Sequence, residues 1–224
     1  METSRAALAP ALMTVAICAH LLASVALAQS PSTHQHSFTG AEHWAHVFDD
    51  PARDAWQQPH AVIRALALAP DAVVADVGAG TGYFAMRLAN MLPKGRVYGV
   101  DIEPEMVNYL TERARRESLA NVVSRLGKPD DPGLPESVDL ILLVDVYHHI
   151  EDRVRYFRRL QSSLKPHGRV AIIDFRLDSP AGPPRAARIA KERVLDELAQ
   201  AGYAVESTHD FLPRQYFVIF KPVR

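Results

Sequence analysis

Two clusters of side chains in this sequence have the types and spacing to do chemistry. The first is Val74-Ala75-Asp76-Val77-Gly78-Ala79-Gly80-Thr81-Gly82, with Asp101 following its last glycine by 19 residues. Three glycines on alternate positions let the backbone take positive φ and let a ligand approach the main chain. Free N–H groups at the start of a following helix attract negative charge and hydrogen-bond acceptors. A carboxylate about 20 residues further on, at the tip of the neighbouring strand, is placed to take both hydroxyls of a ribose. The second cluster, Asp145-Val146-Tyr147-His148-His149-Ile150, offers a carboxylate, a phenol and two imidazoles. Imidazole titrates near neutrality, so His148 and His149 are candidates for moving a proton.

The glycine spacing narrows the ligand. Dinucleotide sites use G-x-G-x-x-G and phosphate-cradling loops end in Gly-Lys-Ser/Thr, whereas this turn is G-x-G-x-G with no lysine. Asp76, just before the glycines, would repel a pyrophosphate and suits a cationic, ammonium-bearing ligand.

The elements that must hold these clusters alternate. Strands are expected at 72–77, 96–101, 122–126, 138–145 and 169–175, with helices at 81–91, 104–118, 151–164 and 187–201. Phe84, Leu88 and Met91 mark the inner face of the first helix, and Met106, Leu110 and Ala114 that of the second. Val138 to Asp145 is an unbroken apolar run ending in an acid, the pattern of a central parallel strand buried on both faces. Two final strands, 203–209 and 215–220, close the chain. The alternation predicts a doubly wound α/β fold, which binds ligands at the carboxyl edge of its sheet.

The first motif resembles that of the class I S-adenosylmethionine-dependent methyltransferases, and Asp145 to Ile150 resembles the fourth motif of the same family, its His-His-Ile ending looking like the small-molecule branch. The resemblance implies a Rossmann-like sheet of seven strands in the order 3-2-1-4-5-7-6, the last hairpin antiparallel, with an N-terminal helical lid. It implies S-adenosylmethionine as cofactor and a small molecule as methyl acceptor. Asp76, Gly78, Ala79, Gly80, Thr81 and Gly82 would then border the cofactor, Asp101 its ribose and Ile102 its adenine. Family members carry an acid in the loop after the third strand to receive the adenine amino group. Lys128 stands where that acid is common, so the role passes to Asp130 in preference to Asp131. Asp145 would border both cofactor and acceptor, Asp145 or Tyr147 would orient the acceptor, and His148 or His149 would take its proton. By the same analogy Trp44, Phe48, Arg53, Asp54 and Trp56 are pocket candidates. His167 replaces a usual glycine in the turn 163–168.

Composition sets outer limits. The chain has 224 residues, 48% of them hydrophobic, enough for one substantial core. A net charge of −1 and a pI of about 6.8 leave no electrostatic footprint for nucleic acid. Leu8 to Ala28 is nearly all apolar and ends in small residues, which predicts a signal peptide cleaved after Ala28 and export, to the periplasm in a bacterium. An uncleaved membrane anchor is the competing reading. Residues 29–40 read as a linker and 41–224 as a single domain with lid helices within 41–70. Cleavage removes Cys18, the single cysteine, which sets the chain apart from the cysteine-dependent arsenic methyltransferases. His34, His36, His43 and His46 could share a metal ion, but histidines beside a polar segment are more often solvated, and no metal is expected. Export also raises an alternative: a non-catalytic binding protein that keeps the fold, since S-adenosylmethionine is made in the cytoplasm.

Overall fold

The computed structural model describes Met1 and residues 40–223. The expected signal segment with Cys18, the linker residues 29–39, and His34 and His36 lie outside the described residues. The chain divides into two units, 1–31 and 32–224, and every element below belongs to the second.

Apolar β-branched runs build the sheet. Strands β1 (Val73–Val77), β2 (Arg96–Asp101), β3 (Val122–Leu126), β4 (Val138–Val144) and β5 (Leu164–Phe175) are parallel, and β6 (Tyr203–His209) and β7 (Gln215–Pro222) form an antiparallel hairpin against β5. The order is β3-β2-β1-β4-β5-β7-β6, as the family resemblance implies. The reversal of direction on either side of β1 and β4 opens a crevice at their carboxyl ends, the general ligand position of such sheets. Leu140, Ile141, Leu142 and Leu143 of β4 are all fully buried, as a strand covered on both faces requires.

Helices cover the two faces. On one, α4 (Tyr83–Met91) buries Tyr83, Phe84, Ala85, Met86, Leu88 and Ala89, and α5 (Pro104–Arg116) buries Met106, Leu110 and Ala114. On the other, α6 (Arg153–Leu160) and α7 (Lys191–Gln200) bury Tyr156, Phe157 and Leu160, and Val194 and Leu198. Ahead of the sheet, α3 (Pro59–Ala65) inserts Val62 and Ile63 into the core, while α1 (Ala41–Phe48) and α2 (Arg53–Gln57) bury only Ala41 and Gln57.

The structure corrects several expectations. Met91, the last residue of α4, is 51% exposed, because Leu88, Ala89 and the following Leu92 take the buried positions at this end of the helix. The pattern at 41–48 predicts a helix with Trp44, Val47 and Phe48 as its apolar side, but Val47 is 54% exposed, and only the Trp44 and Phe48 rings, stacked 5.4 Å apart, are partly buried. Helix α2 had no expectation; Asp50 starts it by accepting the N–H of Ala52 at 2.9 Å. Helix α4 begins two residues later than expected, after Gly82. Strand β5 begins five residues early: Leu164 already pairs with Val138, and the register then shifts before Arg169 joins Leu140. The long helices expected at 151–164 and 187–201 are shortened: α6 lies between 3-10 turns at Tyr147–His149 and Gln161–Ser163, and α7 follows one at Arg185–Ala187. Among the described residues no helix is long and apolar enough to cross a membrane.

Candidate active site

Four apolar strands carry an aspartate at or within one residue of their carboxyl ends: Asp76 on β1, Asp101 on β2, Asp145 just beyond β4 and Asp174 on β5. Parallel strands in one register bring these four acids to one edge. Each has a different environment.

Asp76 is 3% exposed, and burial pushes its pKa up to about 7 against the opposing pull of the Ala85 N–H and of Arg53. The chain then turns sharply across β2, with the N–H groups of Gly78 and Ala79 both donating to Val100 O at 2.8 and 3.0 Å. Gly78 has φ 73, and a Cβ there would collide with Val146. Gly80 has φ 53 and would meet the Phe48 ring at 3.3 Å, so α1 lies directly over the turn. Both positions need glycine for conformation and for space.

Asp101 receives the Gly80 N–H on Oδ2 at 2.8 Å and the Glu103 N–H on Oδ1 at 3.0 Å. The Ile102 N–H also supports this carboxylate, and since an ionised carboxylate has about four lone-pair sites, acceptor capacity remains. Burial raises its pKa, with those backbone donors pulling the other way. Ile102 beside it stays 50% exposed, an apolar surface at the rim of the crevice. The Asp130 side chain is 67% exposed and pairs with Arg159 at 2.8 Å, and Asp131 reaches the same arginine at 3.6 Å.

At the end of β4, Asp145 takes a left-handed φ of 60, a conformation that costs a non-glycine residue about 1 kcal/mol or more and concentrates at functional sites. Its N–H still completes the ladder to Ile173 O at 2.9 Å. Its Oδ1 accepts from Gln215 Nε2 at 2.6 Å, and Gln215 Oε1 accepts from Gln57 Nε2 at 2.7 Å. Arg53 stands 3.8 Å from Asp145. Burial raises the Asp145 pKa and the charge of Asp174 raises it further, with Arg53 opposing.

The 3-10 turn Tyr147–His149 then divides the predicted cluster. Tyr147 is fully buried, stacks on Phe157 at 5.4 Å and donates to Glu197 Oε2 at 2.5 Å, so its hydroxyl is committed to α7 and not to the crevice. His148 is 4% exposed, and its Nδ1 lies 3.0 Å from both oxygens of the fully buried Asp174. Burial pulls the His148 pKa down, but the hydrogen bonds and charge of Asp174 outweigh it and leave the pKa raised. The His149 ring lies 4.0 Å from that of His148. Of the lid residues, Phe48 covers Gly80, Arg53 faces Asp145, and Trp56 contacts Phe175 at 5.7 Å and Arg214 at 5.0 Å. Asp54 binds the Tyr83 hydroxyl and Arg87, and Trp44 packs on Phe48. His43 and His46 are exposed on α1, and among the described residues no group of three or more His, Cys, Asp or Glu side chains is placed to hold a metal ion.

Sequence reasoning missed Asp174 as the partner of His148, and Gln57 and Gln215 as the bridge to Asp145. Asp174 did carry a signal, the apolar run ending in aspartate shared with Asp76, Asp101 and Asp145. Gln57 and Gln215 carried none, being 158 residues apart.

Residues 68–208 match a family model described as a methyltransferase domain. The chain belongs to the class I S-adenosylmethionine-dependent methyltransferase family. A methyltransferase of this family from Aquifex aeolicus superposes with a TM-score of 0.76 at 28% identity, over 82% of this chain and 98% of that one. An arsenite methyltransferase of Halobacterium salinarum is 36% identical over 110 residues, which is 48% of this chain and 28% of that protein. A ubiquinone/menaquinone biosynthesis C-methyltransferase of Geotalea daltonii is 28% identical over 116 residues, 50% of this chain and 49% of that protein. The match thus spans half or less of the length of these two curated relatives.

The residues present in this methyltransferase domain fit the family's cofactor. Gly78, Gly80 and Gly82 add no side chains of their own to the turn, Asp101 keeps acceptor capacity for a hydroxyl, and Ile102 offers an apolar face next to it. Asp76 and Asp145 both have raised pKa with Arg53 as the opposing cation, at 3.8 Å from Asp145, and two buried acids beside one cation suit a ligand carrying ammonium and sulfonium charge. Thr81 Oγ1 in the same turn is buried with no partner among the described residues, a polar atom left for a ligand or water.

Proposed function

We propose that this methyltransferase domain transfers a methyl group from S-adenosylmethionine to a small molecule, and that His148 takes the acceptor's proton. The observation that carries the reading is the convergence of Asp76, Asp101, Asp145 and the His148–Asp174 pair on one edge of the sheet, around a turn that only glycine can form.

When bound, S-adenosylmethionine supplies an electrophilic methyl group on a sulfonium, so the hard chemistry belongs to the cofactor. What the chain contributes is position and proton handling. Asp101 would hold the ribose hydroxyls, Asp76 and the glycine turn would border the cofactor, and Asp145 would border both cofactor and acceptor. Asp174 fixes the His148 ring by accepting from Nδ1, which leaves Nε2 as the site for a proton, the same logic by which a buried aspartate orients a catalytic imidazole elsewhere. Nε2 has no partner among the described residues, and it is absent from their buried unpartnered atoms, which are Thr81 Oγ1, Ser124 Oγ and the Tyr216 hydroxyl. It is therefore the ring atom through which an acceptor reaches the pair.

The acceptor is a molecule whose attacking atom carries a weakly acidic proton, such as a hydroxyl. Arsenite, the acceptor in the name of the Halobacterium relative, is disfavoured, because a soft metalloid calls for thiolates and residues 40–223 contain no cysteine. Export remains a proposal resting on residues 8–28, and with it the second reading of a binding protein without turnover. The test measures S-adenosylhomocysteine formed with a panel of phenolic, enolic and amine acceptors, alongside calorimetric binding of the cofactor. Turnover lost in His148→Ala with cofactor binding intact supports the reading. Binding without turnover on any acceptor transfers it to the non-catalytic alternative.

A further inference from the structure

Arg214 brings to the carboxyl edge of the sheet a charge that the proposed chemistry does not use. It lies between β6 and β7, one residue before Gln215, whose side chain reaches Asp145. Its backbone is fixed: Arg176 donates its N–H to Arg214 O at 3.1 Å and its Nη2 to Pro213 O at 2.7 Å. The half-buried side chain is laid on the Trp56 indole, 5.0 Å from guanidinium carbon to ring centroid, and makes no hydrogen bond or ion pair among the described residues. Its neighbours at this edge are committed. Arg53 donates to Gln57 Oε1 at 3.3 Å and to Phe48 O at 2.9 Å, Arg176 pairs with Asp178 at 3.2 Å, and Arg188 donates to carbonyls of its own loop, that of Ser179 at 2.7 Å among them. Stacking on an indole orients a guanidinium but neutralises none of its charge. Arg53 stands 5.9 Å from the same indole with Asp145 beside it, so the charge on the Arg214 side is the one left uncompensated.

Its position says which reactant it meets. In the strand order, β4 and β5 separate β7 from β1 and the glycine turn, which puts Arg214 on the far side of Asp145 from the expected nucleoside. Trp56 packs 5.7 Å from Phe175, the residue after Asp174, which holds His148. The Arg214–Trp56 pair is thus one residue along the chain from the partners of both Asp145 and His148. The lid and this loop are joined at three successive positions: Trp56 to Arg214, Gln57 to Gln215, and Gln58 Nε2 to Phe211 O at 3.1 Å. A molecule whose hydroxyl meets His148 and whose body extends toward the lid finds a flat indole and an uncommitted guanidinium. That fork of donors matches the two oxygens of a carboxylate.

We infer that Arg214 is a specificity-determining residue for the acceptor: it takes a carboxylate of that molecule while Trp56 holds the guanidinium plane, so the acceptor is a small hydroxy acid and not a neutral compound. This rests on the proposed transfer to a hydroxyl. It makes the loop between β6 and β7, together with α2, the wall that selects the acceptor.

The experiment compares the hydroxybenzoate isomers with the matching hydroxybenzamides, which replace the carboxylate by a neutral group of similar shape. The full chain is assayed by S-adenosylhomocysteine formation and, with S-adenosylhomocysteine already bound, by calorimetric titration of each acid and amide. Wild type should prefer an acid over its amide by about tenfold, seen in KM and Kd more than in kcat, and the preference should shrink as salt is raised. Arg214→Ala should bring the acid-to-amide ratio close to one, Arg214→Lys should keep part of it, and Arg214→Glu should reverse it. If Arg214→Ala does not fold, Arg214→Gln carries the same comparison. Equal weakening of acid and amide means that Arg214 only packs the loop, and an undiminished preference in Arg214→Ala means that the carboxylate is met elsewhere; both results overturn the assignment. Wild type that methylates amides as readily as acids also overturns it and leaves the transfer reaction standing. Neither turnover nor binding of any phenol counts against the proposed function itself, and this inference falls with it.

Discussion

The sheet with α4 and the segment α1–α2 lie against each other at the same crevice, yet they are held by different forces. Helix α4 buries six side chains, and Leu88 of that helix and Leu142 of β4 are fully excluded from water. Helices α1 and α2 together bury one alanine and one glutamine. Beyond the contacts of Phe48 with Gly80 and Trp56 with Phe175, polar links hold them: Asp49 to Arg113 at 2.8 Å, Asp54 to Tyr83 and Arg87, Gln57 to Gln215 at 2.7 Å, and Gly40 N–H to Glu105. Hydrophobic burial contributes about 25 cal/mol per Å² and cannot be undone piecemeal without opening the core. Hydrogen bonds and exposed ion pairs contribute a net of about 1 kcal/mol each, because water offers an equivalent partner. A platform built by the first force stays fixed, whereas a lid held by the second can leave without unfolding the domain.

The largest test of this contrast is Leu142→Ala in the platform, which should cost about 3–5 kcal/mol of global stability in denaturant unfolding through lost burial and a residual cavity. A loss under about 1 kcal/mol would mean that the core is not what fixes the sheet. Next comes the acidic edge. Asp76 keeps its proton up to a pH of about 7 in the folded chain but ionises from 3.8 upward when unfolded. The unfolded state therefore holds fewer protons between these values, and stability falls as pH rises from about 4 to about 7, by up to about 4 kcal/mol, and then levels. Asp76→Asn should flatten that slope in a series of thermal melts, and an unchanged slope would place the ionised acid comfortably in the fold.

Gln57→Ala probes the lid. It strands Gln215 Oε1 and frees Arg53 Nε, so amide exchange over residues 41–57 should quicken about tenfold while the sheet amides keep their protection. Equal acceleration in both regions would erase the distinction between them. The smallest effect is expected for Asp49→Asn, which weakens one partly exposed pair with Arg113 by less than about 1 kcal/mol and should barely move the melting temperature.

The same division governs what could be read in advance. The platform was legible because period and composition report burial directly: the runs 73–77 and 138–144 have no alternative to central strands, and each delivers its aspartate to the crevice. The glycine turn was legible because its conformation excludes other residues at Gly78 and Gly80. The lid was not, since short helices with polar contacts have no periodicity to betray them; α2 passed unnoticed and Val47 was turned the wrong way. Within the second cluster the sequence offered Tyr147, His148 and His149 as equals. Only the 3-10 turn separated them, sending the Tyr147 hydroxyl to Glu197 and the His148 ring to Asp174.

The sequence by itself determined the strand and helix succession, the site of the nucleotide turn and the four aspartates at strand ends, because each is a local consequence of side-chain burial or backbone sterics. Tertiary structure alone decided which imidazole is held by a buried acid, that Gln57 and Gln215 bridge the lid to Asp145 across 158 residues, and that the Arg214 guanidinium lies on the Trp56 indole instead of beside an acid. Those are contacts between segments distant along the chain, and polar contacts of that kind follow from where the apolar core places each backbone, not from the identity of the residues that meet.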